Sequence, residues 1–408
     1  MSLLVLSATD VDAIASTLSP EELQLLMAKV FLRVSNPSGK APISVPPRIV
    51  FPTANHTALF MPARIGPPSL SSDDISSPQG TVHQESAHPT VGSTAVKVVC
   101  VPKRADSSGL PATTLVLDEA SGGVRAVVNA RKLTALRNAA GSLLSTSLVG
   151  PPSPSTIVAF GAGQQIEAHL DLHIRHFPSI NHCSIANRTL NARARSLQDK
   201  LSSKFAEVKF DLLSSDPSQQ GQDRTPDTIE KAIKLADIII CATSSTAPLF
   251  PSAWVKAGTH VILIGSYTPT MREVDTALVL RALPEELSGQ ESPRSPGCPV
   301  LLVDSREACL HEGGELIDAQ VPSEQMTELG ELIPQDKDGI LDIQSYERLL
   351  SSSRMSSDAK DDFVGPITMF KSVGIGLQDV AIASAIVDKA LSFGETIGTH
   401  IVDYDKCW

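Results

Sequence analysis

Residues 155–174 read STIVAFGAGQQIEAHLDLHI, in which a short apolar run leads into a glycine turn and then into a helical pattern. In this context the first glycine permits a tight turn, and the second lets backbone N–H groups approach a pyrophosphate. The helix that follows adds partial positive charge at its N-terminus. Ile166 stands where the usual fingerprint has a third glycine. We therefore expect a dinucleotide-binding turn, made of Gly161, Ala162, Gly163, Gln164 and Gln165.

Downstream of this turn, short apolar runs alternate with helical stretches. The runs are TIVAFG, CSIAN, EVKFDLL, ADIIICAT, HVILIGS and PVLLVD. Runs that are apolar on both faces are typical of parallel strands covered by helices. The pattern predicts an α/β fold, with a Rossmann-type parallel-sheet domain over residues 151–370.

The end of the second of these strands predicts which nicotinamide cofactor is bound. An Asp or Glu at this point would bind the ribose 2′-hydroxyl of NAD. The strand instead ends in Asn187, Arg188 and Thr189, so no carboxylate repels a 2′-phosphate and Arg188 offers it a guanidinium. We expect NADP(H) to be preferred over NAD(H). The alternative is that Arg188 is a surface residue at the start of the next helix.

Three histidines, His169, His173 and His176, are spaced to share one face of the helix after the turn. This spacing permits metal binding, but it equally fits a packing role, and no recognisable general base accompanies it. We predict no metal site.

The N-terminal part has a different pattern. The segment LSPEELQLLMAKVFLRV (18–34) carries Ser, Pro and Glu at the positions of a capping box and predicts an amphipathic helix. Three β-branched segments predict strands of one sheet: 47–62, 94–102 and 113–118. Two Ser/Pro-rich inserts, 67–92 and 281–299, show no periodicity. The closing segment, 372–394, predicts a helix that ends at Gly394.

Composition excludes several classes of protein. The net charge of −11 and the lack of any basic run argue against nucleic acid as a partner. No apolar run approaches 18 residues, and the N-terminus lacks the features of a signal peptide, so we expect no membrane span. The six cysteines are scattered without a C-x-x-C pair, which favours a reducing compartment. We expect a soluble cytoplasmic protein.

The segment GVRAVVNARKLTALRNAAGSLLSTSLVG (123–150) resembles the ornithine cyclodeaminase and mu-crystallin family. Further stretches agree in the same order: PPRIVFPTANHTALFMPA, TAVKVVC, FGAGQQIEAH, IANRT and ITMFKSVGIGLQDVAIA. The resemblance implies two domains and a homodimer. Residues 1–150 with 371–408 would form an α/β substrate and dimerisation domain, and residues 151–370 the NADP-binding Rossmann domain.

The resemblance also implies the site residues. Arg48, Lys97 and Arg137 match family residues that hold the substrate's α-carboxylate beside the nicotinamide, and we expect Lys97 and Arg137 to be catalytic. A carboxylate in a closed apolar pocket needs paired cations, which agrees with this assignment. Further matches near the nicotinamide are Thr243 to Ser245, Ser372 and Gly374. Asp379 is expected to fix the last helix rather than to act on substrate.

One departure from the family bears on the reaction. In true ornithine cyclodeaminases the segment matching GTHVILIGSYTPTMREV (258–274) carries an Asp that acts in deamination and ring closure, and here Tyr267 takes its place. A tyrosine hydroxyl is a poor general base at neutral pH. The resemblance therefore implies an NADPH-dependent reductase of cyclic imino acids, with Tyr267 in the substrate pocket. The alternatives are an ornithine or lysine cyclodeaminase that forms proline or pipecolate, and a non-catalytic protein that binds NADPH or a small ligand.

Overall fold

The computed structural model describes residues 2–36, 42–67, 70, 92–103, 110–215, 227–283, 301–355 and 366–405. Nearly all of the predicted inserts, 67–92 and 281–299, lies outside the described residues.

The described residues form strands and helices throughout. The strands are β1 Leu3–Leu6, β2 Ile43–Ser44, β3 Ile49–Pro52, β4 His56–Ile65, β5 Ser93–Pro102, β6 Ala112–Leu117, β7 Val124–Asn129, β8 Thr156–Phe160, β9 His182–Asn187, β10 Lys209–Ser214, β11 Ile238–Cys241, β12 His260–Leu263, β13 Leu301–Val303, β14 Thr327–Glu328, β15 Thr368–Lys371 and β16 Thr399–Ile401. The helices are α1 Ala8–Ser16, α2 Pro20–Ser35, α3 Leu133–Val149, α4 Gln164–His176, α5 Ala192–Lys204, α6 Asp227–Leu235, α7 Thr276–Arg281, α8 Arg306–Glu312, α9 Gly314–Asp318, α10 Ile343–Met355 and α11 Gly376–Ser392.

The chain divides into two compact units. The first comprises Met1–Arg137, Gln335–Leu341 and Ile375–Trp408, and the second comprises Asn138–Pro334 and Asp342–Gly374. The first division falls inside α3 rather than at residue 150, where the sequence placed a boundary. The reason lies in the side chains of α3: Arg137 pairs with Asp379 of the first unit, whereas the hydroxyls of its later turns bond within the second.

The first unit contains a mixed sheet with the order β16-β1-β7-β6-β5-β4-β2, and β3 also pairs with β4. Helix α11 packs across β4, β5 and β6, and α2 packs against α11. Ser19 and Glu22 form the expected capping box at the start of α2, each accepting a hydrogen bond from the other's backbone N–H. The sheet face under α11 therefore belongs to the core of this unit.

Two local predictions in this unit are corrected. The segment 47–62 is not one strand, because the chain reverses at Thr53, whose N–H donates to the carbonyl oxygen of His56, and so forms the hairpin of β3 and β4. The closing helix begins at Gly376 rather than at residue 372. Residues 372–375 are non-helical, because Gly374 has a φ of +85° and Asp304 holds its N–H.

The second unit contains a parallel sheet with the order β10-β9-β8-β11-β12-β15-β13-β14. The apolar runs named above all contribute strands to it, which confirms the predicted α/β class. From β8 the chain winds outward through β9 and β10, and then returns to β11 on the other side of β8. This reversal creates a switch point between β8 and β11 at the carboxyl edge of the sheet, where doubly wound folds bind dinucleotides.

Burial on both faces of this sheet explains its continuous apolar runs. Every residue of β11, β12 and β15 is buried, and one face packs into a core that includes Val158, Phe160, Ile239, Val261 and Met369. Because the strands have no exposed face, polar side chains that could bind a ligand are expected in the loops that follow them.

Candidate functional site

The glycine turn after β8 has the geometry that a dinucleotide needs. Gly161 has a φ of +118°, and a β-carbon there would lie 2.9 Å from the carbonyl oxygen of Ala242, the residue after β11. A glycine is therefore required where the two loops cross. Gly163 is the N-cap of α4 without a side-chain hydrogen bond, and a β-carbon on it would meet open space. The turn thus leaves room beside the first amides of α4.

These features fit a pyrophosphate at the start of α4. The first N–H groups of a helix have no partner within the helix, and they attract anions. In the part of the chain that the structure describes, the side-chain oxygen of Gln165 is buried without a hydrogen-bond partner, so it can accept from a bound ligand. The residues present therefore suit the nicotinamide dinucleotide that the sequence predicts.

The Asn187–Thr189 segment lies at the carboxyl end of β9. Asn187 donates from its side-chain nitrogen to the carbonyl oxygen of Thr189, 2.7 Å away, so its amide shapes the turn. Ser214 donates to the carbonyl oxygen of Arg188, 3.0 Å away. The Arg188 side chain itself is exposed. The fold thus fixes the backbone of this turn and leaves the guanidinium accessible to a ligand.

Thr243 and Ser372 follow β11 and β15, at the same edge of the sheet as the glycine turn. Both side chains donate to buried carboxylates. Thr243 donates from its N–H and its Oγ1 to Glu273, at 2.6 and 2.9 Å. Ser372 donates from Oγ to Asp304 at 2.7 Å, and Gly374 N–H donates to the same oxygen. Their hydroxyls can therefore accept hydrogen bonds from a cofactor but are already committed as donors.

Tyr267 lies half-buried in the loop after β12. The residue before it, Ser266, is buried and donates from Oγ to Glu315 at 2.8 Å. Gly265 donates from its N–H to Glu273 at 2.8 Å. The segment that carries Tyr267 is therefore held by carboxylates at its start.

Burial raises the pKa of the Glu273 carboxyl to about 7, and Glu315 adds to this rise. Lys371 and the hydrogen bonds from Thr243 act in the opposite direction. The balance places the protonation of Glu273 near neutral pH, which is unusual for a carboxylic acid.

The second constellation lies in the first unit and joins Lys97 of β5, Arg137 of α3 and Asp379 of α11. The ammonium of Lys97 lies 2.6 Å from one carboxylate oxygen of Asp379, and Nε of Arg137 lies 3.2 Å from the other. Each of the three residues is only 3% exposed. Strand alternation explains the burial of Lys97, because Lys97 and Ala95 share the face of β5 that α11 covers.

Gln378 and Arg48 complete this cluster. Gln378 accepts from Nη1 of Arg137 at 2.7 Å through its side-chain oxygen, which orients the guanidinium. Arg48, half-buried just before β3, is close enough for its charge to lower the pKa of Lys97. The structure therefore brings together Lys97 and Arg137, two of the three cations predicted to bind a carboxylate, while Arg48 acts on Lys97 through its charge.

The charges of the cluster decide its protonation. Burial lowers the pKa of Lys97, Asp379 opposes this effect, and Arg137 and Arg48 reinforce it. Burial alone would raise the pKa of Asp379, but the charges of Lys97 and Arg137 outweigh it and hold that pKa below its usual range. Two buried cations thus share one buried anion. Paired, hydrogen-bonded cations of this kind are suited to binding a carboxylate.

The histidines of α4 have packing partners. His169 bonds through Nε2 to Ser142 at 2.9 Å and His173 to Thr146 at 3.0 Å, both on α3, and His176 contacts Ser147. Among the described residues, no group of three or more His, Cys, Asp or Glu side chains is arranged to hold a metal ion. The face that the sequence left open between metal binding and packing therefore packs on α3.

Sequence reasoning missed several of these partners. It assigned Asp379 to fixing the last helix, whereas the structure also makes it the counter-ion of both buried cations. It also missed the buried carboxylates that hold the loops at the edge of the second sheet: Glu273, Asp304 and Glu315. A usable signal was the position of Asp304 directly after an apolar strand, because strand ends at this edge carry polar work.

Comparison with known proteins agrees with the resemblance. The sequence profile of the ornithine cyclodeaminase/mu-crystallin family matches residues 86–340, well over half of the chain. The chain belongs to this family.

Two relatives indicate which class of enzyme the chain resembles within this family. Ketimine reductase mu-crystallin of Rattus norvegicus is 28% identical over 277 residues, which cover 68% of this chain and 69% of the relative. A Delta(1)-pyrroline-2-carboxylate reductase of Paracoccus denitrificans is 30% identical over 284 residues, which cover 68% and 73%. Both relatives are named as reductases, the class that the sequence predicts.

A solved structure shows the same fold. The Delta(1)-pyrroline-2-carboxylate reductase of Thermococcus litoralis, in complex with NADH and L-proline, matches with a TM-score of 0.67 at 22% identity. The match covers 98% of this chain and 100% of that one. Within the described residues, no helix combines the length and the apolar character needed to cross a membrane.

Proposed function

We propose that the protein is an NADPH-dependent reductase of cyclic imino acids of the ketimine type, such as pyrroline- or piperideine-2-carboxylate. The chain is an NAD(P)-dependent oxidoreductase that acts on C=N or CH–NH bonds, and the proposal specifies its substrate and its cofactor. The observation that carries it is the buried cluster in which Lys97 and Arg137 share Asp379.

The cluster supplies what this reaction asks of a protein. Reduction of a C=N carbon beside a carboxylate requires a clamped carboxylate, a site that excludes water and a protonated imine. Lys97 and Arg137 provide the clamp, since Asp379 holds both cations close together in the core. Lys97 can also hold or pass on a proton, because burial lowers its pKa. Bound NADPH would supply the hydride.

Two features support the finer assignment. The exposed Arg188 and the lack of a carboxylate in the Asn187–Thr189 segment favour the 2′-phosphate of NADPH. Tyr267 at the position of the cyclodeaminase Asp disfavours the deamination steps and leaves the reduction.

The remaining assignments are also proposals. Residues 1–150 with 371–408 would bind the imino-acid substrate and form the dimer, and residues 151–370 would bind the nucleotide. A homodimer agrees with an archaeal alanine dehydrogenase of the same fold, which was solved as a dimer with bound NAD at 18% identity and a TM-score of 0.67. The six scattered cysteines, which include no C-x-x-C pair, favour a reducing compartment and hence the cytoplasm.

The test is to mix the purified protein with NADPH and piperideine-2-carboxylate, or pyrroline-2-carboxylate, and to follow the loss of nicotinamide absorbance. Faster oxidation of NADPH than of NADH is expected. Ammonia release from ornithine or lysine would instead indicate a cyclodeaminase. NADPH binding without oxidation by any cyclic imine would leave a binding protein and overturn the proposal.

A further inference from the structure

At the carboxyl edge of the second sheet, buried carboxylates join loops that follow neighbouring strands. Glu273 accepts from Thr243 through Oε1 and from Gly265 N–H through Oε2. One side chain thus ties the loop after β11 to the loop after β12. Glu273 is completely buried, so its hydrogen bonds are not shared with water.

Glu315 extends this connection toward β15. Its Oε1 accepts from the N–H of Glu273 at 2.9 Å, and its Oε2 accepts from Ser266 at 2.8 Å. Lys371, the last residue of β15, lies 3.2 Å from the same carboxylate and donates to the carbonyl oxygen of Ser266 at 2.5 Å. Gly314 allows the close approach, because a β-carbon there would lie 1.8 Å from the carbonyl oxygen of Met271.

Asp304 ties down the remaining loop. Its N–H donates to the carbonyl oxygen of Lys371 at 3.1 Å, and its carboxylate accepts from Ser372 and Gly374. The contacts therefore run without interruption across the ends of β11, β12, β15 and β13. Asp304 and Lys371 are both completely buried.

This chain of contacts covers only one half of the sheet. Among the described residues, the carboxylates of Glu273, Glu315 and Asp304 bond to none of the loops after β8 and β9. In a doubly wound sheet the two halves bind the two mononucleotides of the cofactor separately. The half that begins with the glycine turn takes the adenosine side, so the half that begins at β11 takes the nicotinamide side.

We propose that Glu273, Glu315 and Asp304 are positioning residues for the nicotinamide end of the cofactor, and that the adenosine end is bound independently of them. This inference rests on the proposed function, because it needs a nicotinamide dinucleotide in the second unit. Burying a charge costs free energy. Buried carboxylates with all of their hydrogen bonds made are therefore expected where loops must hold a fixed geometry. A small misplacement of reacting groups is enough to cost about 100-fold in rate.

The test uses Glu273→Gln and Asp304→Asn, which keep the shape of each side chain but turn one acceptor into a donor. We would measure the Kd of NADPH, the Kd of adenosine 2′,5′-bisphosphate as an adenosine-end probe, and the single-turnover rate of hydride transfer. The expected result is a bisphosphate Kd within about twofold of the parent protein, an NADPH Kd raised by more than that, and a hydride-transfer rate lowered by about 10- to 100-fold.

Asp237→Asn provides the matched control. Asp237 is also a largely buried carboxylate of this sheet, but it accepts from the N–H groups of Ser155 and Thr156 at the opposite, amino edge. The Asp237→Asn variant should have a lower unfolding temperature, but its affinity for NADPH relative to that for adenosine 2′,5′-bisphosphate should not change. Ser266→Ala removes only the hydroxyl that bonds to Glu315, so it serves if the carboxylate variants do not fold, and it should lower the hydride-transfer rate several-fold.

The outcomes separate the two proposals. Unchanged hydride transfer in folded Glu273→Gln or Ser266→Ala would overturn the positioning role, as would an equal loss of NADPH and bisphosphate binding. If the parent protein binds NADPH but reduces no imine, the substrate assignment fails while the difference between the two binding constants still decides this inference. A parent protein that binds no NADPH overturns both.

Discussion

The ammonium of Lys97 lies 2.6 Å from Oδ2 of Asp379, and both side chains are buried from solvent. Arg137 approaches the other oxygen of the same carboxylate at 3.2 Å. A buried carboxylate that is shared by two cations must stabilise both, and it cannot neutralise both. We propose that the two cations bind the carboxylate of the substrate, and the first prediction tests the role of Asp379 in this site.

Asp379→Asn should move the alkaline limb of kcat/KM to lower pH. Burial, Arg137 and Arg48 already lower the pKa of Lys97, and Asp379 opposes them. Without this carboxylate the pKa falls further, so Lys97 loses its proton, and its hold on the substrate, at a lower pH. Unfolding free energy should fall by about 3–5 kcal/mol, as when one partner of a buried ion pair is removed.

The measurement is a profile of kcat/KM against pH for the parent and the variant. Asp388→Asn is the control, because Asp388 lies on the same helix but pairs with Arg125 at the exposed surface. An alkaline limb at the same pH in Asp379→Asn and in the parent would contradict the assigned role.

Arg137→Leu should abolish imine reduction and spare NADPH binding. Gln378 and Asp379 hold the Arg137 guanidinium in place, so its loss removes the proposed carboxylate-binding group while the glycine turn is untouched. We expect kcat/KM to fall by about 100-fold or more, in line with the loss of a buried charge-assisted contact. Arg125→Leu, which removes a half-buried arginine paired with Asp388 at the surface, should change little. Retained activity in Arg137→Leu would show that the substrate binds elsewhere.

Arg188→Ala should reduce the preference for NADPH over NADH. The side chain is exposed, so folding should be unaffected, and the 2′-phosphate would lose its guanidinium partner. The ratio of kcat/KM for the two cofactors should fall about tenfold, since a hydrogen bond to a charged group contributes about 1.5–3 kcal/mol. Arg193→Ala, on the exposed face of α5, is the matched control. An unchanged ratio of kcat/KM for the two cofactors would show that Arg188 is a surface residue that does not bind the 2′-phosphate.

Replacement of the two glycines of the turn by alanine should affect two different properties: stability at Gly161 and NADPH binding at Gly163. Gly161→Ala forces a side chain into a φ of +118° and against Ala242, so it should cost about 1–3 kcal/mol of stability and disturb the turn. Gly163→Ala meets no protein atom within 4 Å, so the protein should fold normally but bind NADPH more weakly. Thermal unfolding and NADPH titration measure the two effects. Normal NADPH affinity in Gly163→Ala would place the pyrophosphate elsewhere.

The protein should lose stability in acid because of its buried histidines. Burial lowers the pKa of His169 to about 4 and that of His173 to about 3, from an ordinary value of 6.5. Between pH 6.5 and about 4 the unfolded chain binds protons that these folded histidines do not, so stability falls as pH falls, by on the order of 3 kcal/mol for each.

Unfolding free energy measured against pH tests this dependence. His169→Gln, which can still bond to Ser142, should show a shallower acid decline than the parent. His182→Gln is the control, because His182 is partly exposed and pairs with Asp211. Equal slopes in the parent and in His169→Gln would mean that this histidine does not carry the effect.

The features that sequence reasoning predicted well depend on near neighbours. The capping box of Ser19 and Glu22, the glycine turn at Gly161 and the buried strands of the parallel sheet follow from spacings of a few residues. The boundaries were less accurate. The chain reverses at Thr53, and it is not yet helical at Gly374. The contacts that cause this are not revealed by the periodicity of the sequence.

The sequence by itself determined the α/β class, the glycine turn and the family, because turn chemistry and strand burial are encoded locally. Only the tertiary structure decided which charges are paired. Arg137 and Asp379 stand 242 positions apart, and Glu273 reaches Thr243 across 30. A charge placed in the core must find a partner there, and that partner is chosen by which strands and helices the fold brings together.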